Sequence, residues 1–179
     1  MRSMRFGWVP LLMLAVGASG VHAQRFGVQL NWSDDFDFGV GGRVEFDLED
    51  MLSSEGPFSR TFVIGSFDYF FPDCDADIGP TDFDCSYWEI NGNLAVPFTE
   101  GDESVDPYAG AGLNLAHFSF DYADDFPGGD VSDTEIGLNL LAGVKFPVGG
   151  LAAYLEGRFE LSGGEQFVLT GGVLVGGAR

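Results

Sequence analysis

Between Phe38 and Leu48, Trp88 and Phe98, and Thr134 and Phe146, large apolar residues alternate with Gly, Asn, Glu, Arg or Lys. A two-residue period puts the two sets on opposite faces of a β-strand, because successive side chains point to opposite sides. Each segment is about as long as the roughly 9–11 residues that a tilted membrane-spanning strand needs. No 3.6-residue period accompanies them, so the chain reads as all-β.

The N-terminus is set apart from this pattern. Arg2 and Arg5 precede an apolar run from Trp8 to Ala18, which Pro10 interrupts, and no acid occurs before Asp34. That run is too short for a transmembrane helix of about 20 residues. Val21-His22-Ala23 has the small-x-small form of a cleavage site. The expectation is a signal peptide over 1–23 and one domain over 24–179. No cysteine follows the cut, which argues against a lipid anchor.

Charge narrows the partners. Eight basic residues face 28 acidic ones, a net charge of −20, and Lys145 is the sole lysine. Nucleic acid is excluded as a partner, since binding phosphates needs a basic face.

Eight strands can be read between turn signals. The first, 25–33, sets Phe26, Val28, Leu30 and Trp32 against Gly27, Gln29 and Asn31. The second, 38–48, sets Phe38, Val40, Val44 and Phe46 against Gly39, Gly41, Arg43, Glu45 and Asp47. The third, 60–71, is apolar on both faces, and Val63, Phe67 and Tyr69 are assigned outward. The fourth, 88–98, opposes Trp88, Ile90, Leu94, Val96 and Phe98 to Glu89, Asn91 and Asn93. The fifth, 108–120, opposes Ala109, Ala111, Leu113 and Leu115 to Gly110, Gly112 and Asn114. The sixth, 134–146, opposes Ile136, Leu138, Leu140, Val144 and Phe146 to Glu135, Asn139, Gly143 and Lys145. The seventh, 151–160, opposes Leu151, Ala153, Leu155 and Phe159 to Tyr154, Glu156, Arg158 and Glu160. The eighth, 166–175, carries Phe167, Leu169, Val173 and Val175 outward. Pro147-Val148-Gly149-Gly150 reads as a tight turn, whereas 72–86 and 121–133 read as long, Asp-rich loops.

Alternation does not say which face is inside. A soluble lipocalin-like barrel would enclose its apolar face around a ligand and offer Lys, Ser and Thr to water. Here the polar face is mainly Gly and Asn, with Arg43, Glu45, Glu89, Glu135, Lys145, Glu156 and Arg158 near mid-strand. Small residues and opposed charges suit a narrow interior where every charge needs a partner. Trp32, Tyr69, Trp88, Phe98 and Phe146 near the strand ends suit interfacial girdles. The fold expected is an eight-stranded antiparallel up-and-down transmembrane β-barrel.

The stretches Pro107-Tyr-Ala-Gly-Ala-Gly-Leu-Asn, Ile136-Gly-Leu-Asn-Leu-Leu-Ala-Gly-Val and Tyr154-Leu-Glu-Gly-Arg-Phe resemble the small OmpA/OmpX-like, opacity-type outer-membrane β-barrels. The resemblance implies a polar, largely filled lumen and a structural, adhesive or narrow porin-like role, with no enzymatic site. Members usually end in an aromatic residue read by the barrel-assembly machinery. This chain ends Gly176-Gly177-Ala178-Arg179, and Phe167 is the nearest aromatic.

Three features invite sharper chemistry. Cys74 and Cys85 share one expected loop, and in an oxidising compartment a disulfide would contribute up to ~3 kcal/mol. Asp73, Asp75, Asp77, Asp82 and Asp84 in the same loop, with Asp121, Asp124, Asp125, Asp130 and Asp133 in another, could recruit divalent cations diffusely. The spacing departs from an EF-hand, because Gly79 falls one residue late and Asp84 stands where a bidentate Glu is usual. Finally, His117-Phe118-Ser119 with Glu135 resembles the His-x-Ser and downstream Glu of outer-membrane lipid A deacylases. Glu135 falls on the opposite phase from His117 and Ser119, and Phe120 stands where that motif has Asn.

The reading is a non-enzymatic protein of the cell outer membrane. It has no catalytic residues, no cofactor and no specific metal site. Its expected partners are outer-membrane lipid, lipopolysaccharide and the barrel-assembly machinery. The rival readings are a lipid A-modifying hydrolase, a soluble periplasmic ligand-binding barrel and a calcium-dependent adhesin. Any conduction would favour cations, given the acid excess.

Overall fold

The computed structural model describes residues 24–48, 59–72, 84–99, 104–121, 131–161 and 165–176. Its strands are β1 (Gln24–Ser33), β2 (Asp37–Asp47), β3 (Phe62–Phe70), β4 (Asp84–Pro97), β5 (Asp106–Asp121), β6 (Val131–Val148), β7 (Leu151–Glu160) and β8 (Phe167–Gly176). Each pairs antiparallel with its neighbours in sequence, and β1 pairs β8 from Arg25↔Gly176 to Ser33↔Val168, closing the barrel. Closure leaves no strand edge along the shared height of the wall, which a barrel in lipid requires.

The sequence periodicity maps onto the two faces. Outward Ile136 is 71% exposed and outward Val28 67%, whereas Glu89, Asp68 and Glu45 are fully buried inside. A water-soluble barrel would have the reverse arrangement. The soluble ligand-binding alternative therefore loses its apolar cavity. In β3, Ser66 and Asp68 point inward with Phe62, Ile64 and Phe70, and Val63, Phe67 and Tyr69 point outward as assigned. The turn between β6 and β7 is tight, with Val148 opposite Leu151. Gly149 has φ 63° there, a conformation open to glycine at little cost.

Strand ends differ from the sequence reading. β4, β5 and β6 run for 14, 16 and 18 residues, against 9–11 elsewhere. The pairing of β3 with β4 stops at Phe70↔Tyr87, yet β4 and β5 continue together to Asp84↔Asp121. β6 likewise pairs β5 well beyond Asn139↔Glu160, where its register with β7 begins. These extensions stand at the barrel end opposite the termini. They are polar or mixed, so backbone pairing continues where hydrophobic alternation has ceased. Cys85 consequently belongs to β4 rather than to a loop, with Sγ 3.7 Å from the Pro72 carbonyl.

Residues 1–23, Cys74, Asp73, Asp75, Asp77, Asp82, Asp124, Asp125 and Asp130 lie outside the described residues, and with them the signal peptide and most of both acidic clusters.

Candidate functional site

The lumen holds two layers of charge. Nearer the termini, Arg43 donates from Nε and Nη2 to Glu45 Oε1 at 3.0 and 2.7 Å, and from Nη1 to Glu156 Oε2 at 2.8 Å. Lys145 Nζ reaches Glu45 Oε2 at 2.8 Å, and Tyr108 donates its hydroxyl to Glu156 Oε2 at 2.7 Å. Arg25 bridges Glu45 and Asp47 at the rim, each at 3.2 Å. Aromatic faces complete the cationic environments. The Arg43 guanidinium is 4.3 Å from the Tyr154 ring centroid, and Lys145 Nζ is 3.6 Å from that of Phe62.

The second layer is built on Arg158. Its Nη2 donates to Glu89 Oε2 at 2.8 Å and lies 3.6 Å from Asp68 Oδ2, while Nε donates to Glu160 Oε1 at 2.9 Å. One cation thus faces three carboxylates. Neutral donors supply the remaining bonds. Asp68 accepts from Gln29 (2.5 Å), Asn31 (2.7 Å), Ser66 (3.0 Å) and Asn91 (3.1 Å). Glu89 accepts from the Tyr87 hydroxyl and from Gln166, both at 2.5 Å. Tyr154 donates to Gln29 Oε1 at 2.5 Å and so ties the two layers together. Buried charges need this density of bonding, because each has lost its water.

Apolar layers lie towards both ends. Phe62, Ile64, Ala95, Tyr108 and Leu141 pack near the termini. At the other end Phe70, Tyr87, Ala116 and Val168 cluster, with Phe36 and Phe118 packed against them. Phe36 comes from the β1–β2 turn and stacks on Tyr87 at 3.8 Å between centroids. Glycines make room for these side chains. A Cβ on Gly41 would sit 2.1 Å from Asp68 Oδ1, and one on Gly143 would sit 2.6 Å from the Tyr108 hydroxyl.

Sequence reasoning placed Arg43, Glu45, Glu89, Lys145, Glu156 and Arg158 inside, and the structure joins them. It missed Asp68, because β3 is apolar on both faces. Phe36 sat in a turn, where no periodicity could mark it. Glu135 was counted with the interior charges but is exposed, since it lies on the part of β6 beyond the end of β7. The deacylase-like set is not assembled. His117 Nδ1 is 2.7 Å from Thr134 Oγ1, Ser119 Oγ is 2.8 Å from Ser86 Oγ, and Glu135 pairs with Ala116 on the other face.

The pattern of the outer membrane protein beta-barrel domain matches residues 10–172. The chain belongs to this family of outer-membrane β-barrels. Solved structures show the same fold at low identity. Ail, the attachment invasion locus protein of Yersinia pestis, is 16% identical with a TM-score of 0.51, and the match covers 87% of this chain and 95% of Ail. The N-terminal barrel of Pseudomonas aeruginosa OprF is 14% identical at 0.53, covering 87% and 99%. A major outer membrane protein of Thermus thermophilus is 15% identical at 0.56, covering 87% and 100%. No curated protein matches the sequence. As a member of the outer-membrane β-barrel family, the protein resides in the outer membrane.

Proposed function

We propose that this outer-membrane barrel is a non-enzymatic structural and surface-presenting protein whose lumen is closed at rest. The observation that carries the reading is the pair of interlocked charge layers. Arg43, Glu45, Glu89, Asp68, Glu156 and Arg158 are each at most 4% exposed and bonded to partners on other strands. A permeant ion would have to displace bonded charges in a site of low dielectric, which opposes conduction. Purified barrel in a planar lipid bilayer should leave the conductance at baseline. Steady channel activity from the folded protein would sink the closed-lumen reading.

A second reading, narrow cation-leaning conduction, draws on the excess of carboxylate around Arg158. Its signature would be a reversal potential of cation-selective sign in a salt gradient. The hydrolase alternative predicts that Ser119→Ala abolishes deacylation of lipid A; on the present reading neither form deacylates it.

Ail has been solved with the heparin analogue sucrose octasulfate. A sulfated polysaccharide fits poorly to a chain of net charge −20. We therefore assign the surface role to other ligands. A Cys74–Cys85 staple belongs to the same proposal, and peptide mapping without reductant would detect it.

A further inference from the structure

Charge is shared unequally between the two layers of the lumen. In the layer nearer the termini, Arg43 and Lys145 are matched by Glu45 and Glu156. Around Arg158 one guanidinium faces Asp68, Glu89 and Glu160, all buried, which leaves two negative charges over. A buried charge without a counter-charge is costly. Glu160 is bonded as an ionised carboxylate. Its Oε1 accepts from Arg158 Nε at 2.9 Å, and its Oε2 accepts from Asn114 Nδ2 and Gln166 Nε2 at 3.0 and 2.9 Å.

Two unmatched acceptors stand beside that excess. Asn114 and Asn139 are 2% and 1% exposed, and the Oδ1 atom of each has no hydrogen-bond partner among the described residues. Their nitrogens fix which end of each amide is oxygen. Asn114 Nδ2 donates to Glu160, and Asn139 Nδ2 donates to Asn91 Oδ1 and Asn93 Oδ1 at 2.8 and 3.1 Å. Turning either amide over would set oxygen against oxygen. Both belong to the surroundings of Glu160: Asn139 is its register partner across β6 and β7, and Asn114 is bonded to it. Asn114 and Asn139 are also diagonal neighbours, because Asn114 pairs with Gly137. Three adjoining strands thus bring two amide oxygens and one carboxylate together. A water molecule would satisfy the oxygens but leave the charge; a cation answers both.

We propose that Asn114, Asn139 and Glu160 hold a calcium ion inside the lumen, with water completing its shell. Amide and carboxylate oxygens are ligands for hard cations. Calcium tolerates an irregular set of them, whereas magnesium demands a near-octahedral one. Its two positive charges cancel the excess around Arg158. Among the described residues no three acidic, histidine or cysteine side chains form a metal cluster, so the site depends on its amides. The inference goes beyond the closed lumen, and a conductance result leaves it standing.

The test refolds the full barrel with calcium in detergent, exchanges it into metal-free buffer and measures ions per protein by plasma mass spectrometry. A background with the aspartates of 73–82 and 124–130 changed to asparagine removes the acidic loops as a source. Both proteins should keep one calcium per barrel. After chelator treatment, Glu160→Gln and Asn139→Ala should each rebind it at least about tenfold more weakly. Asn139→Asp, which exchanges the amide oxygen for a carboxylate, should retain it. Heat-modified gel mobility confirms that each variant folds. Folded parent without bound metal would leave water or a proton at these oxygens and overturn the proposal. So would calcium lost with the loop aspartates, calcium bound as tightly by folded Glu160→Gln and Asn139→Ala, or magnesium or sodium retained in its place.

Discussion

Arg43 Nη1 donates to Glu156 Oε2 at 2.8 Å and so joins β2 to β7, two strands separated in the wall by β1 and β8. The bond spans the lumen rather than following the sheet. Arg158 does the same from β7 to Glu89 on β4 at 2.8 Å. These cross-braces couple strands whose backbones never meet.

The Arg158 layer should be the most sensitive point. Arg158→Leu leaves Asp68, Glu89 and Glu160 without their shared cation. Loss of one partner of a buried ionic set costs about 3–5 kcal/mol. Urea titration of barrel refolded into vesicles should show that loss, with Arg158→Lys recovering part of it. Unchanged stability in Arg158→Leu would mean that the layer is not electrostatically coupled.

Two glycines on neighbouring strands should respond oppositely. A Cβ on Gly112 would lie 2.1 Å from the Gly92 carbonyl oxygen and 2.3 Å from Asn93 Oδ1, whereas one on Gly92 meets nothing within 4 Å. Gly112→Ala should destabilise by about 1–3 kcal/mol through overpacking. Gly92→Ala should be neutral or mildly stabilising. Equal midpoints for the two variants would contradict the packing described.

Tyr108 and Gly143 are register partners on β5 and β6, with the phenol lying against the glycine. This is an aromatic covering a bare strand position. Gly143→Ala should therefore cost stability in the parent and less in a Tyr108→Leu background, where the approach of the new Cβ to the Leu155 carbonyl oxygen, 2.7 Å, still remains. A double-mutant cycle should return a coupling of about 0.5–3 kcal/mol; simple additivity would argue that the two do not share space.

The boundary on the outer wall can be mapped with arginine. Leu138 lies two rows below Thr134 on β6, within the apolar band. Leu138→Arg should cost about 2–4 kcal/mol, and Thr134→Arg about 0–1, as expected for depth in a bilayer. Folding titrations into vesicles would measure both, and matched costs would place the boundary elsewhere.

Legibility in the sequence followed the physics of each region. Where one face meets lipid and the other a packed lumen, the two-residue period is strong. That is why even the ambiguous β3 takes the phase expected from Phe67 and Tyr69. Where both faces of a strand meet water, nothing forces alternation, so the extensions around Cys85, Asp121 and Ser132 read as loops. The ion pairs were half visible. Arg43, Glu45 and Glu156 could be placed inside, but the Arg43–Glu156 brace depends on curvature and register around the closed wall. Asp68 was hidden among aromatics, and the phase of its own strand was the one signal that could have revealed it.

The pairing of β1 with β8 also dictates how such a molecule comes into being. The ring is closed by the first and last strands of the described chain, so no shorter piece of it has a seam that can be sealed. An arc of seven strands would turn bonded carboxylates and guanidiniums towards hydrocarbon and leave two unpaired edges there. The bilayer-stable state of this sheet therefore exists only once β8 meets β1, with the charges turned inward and both edges paired.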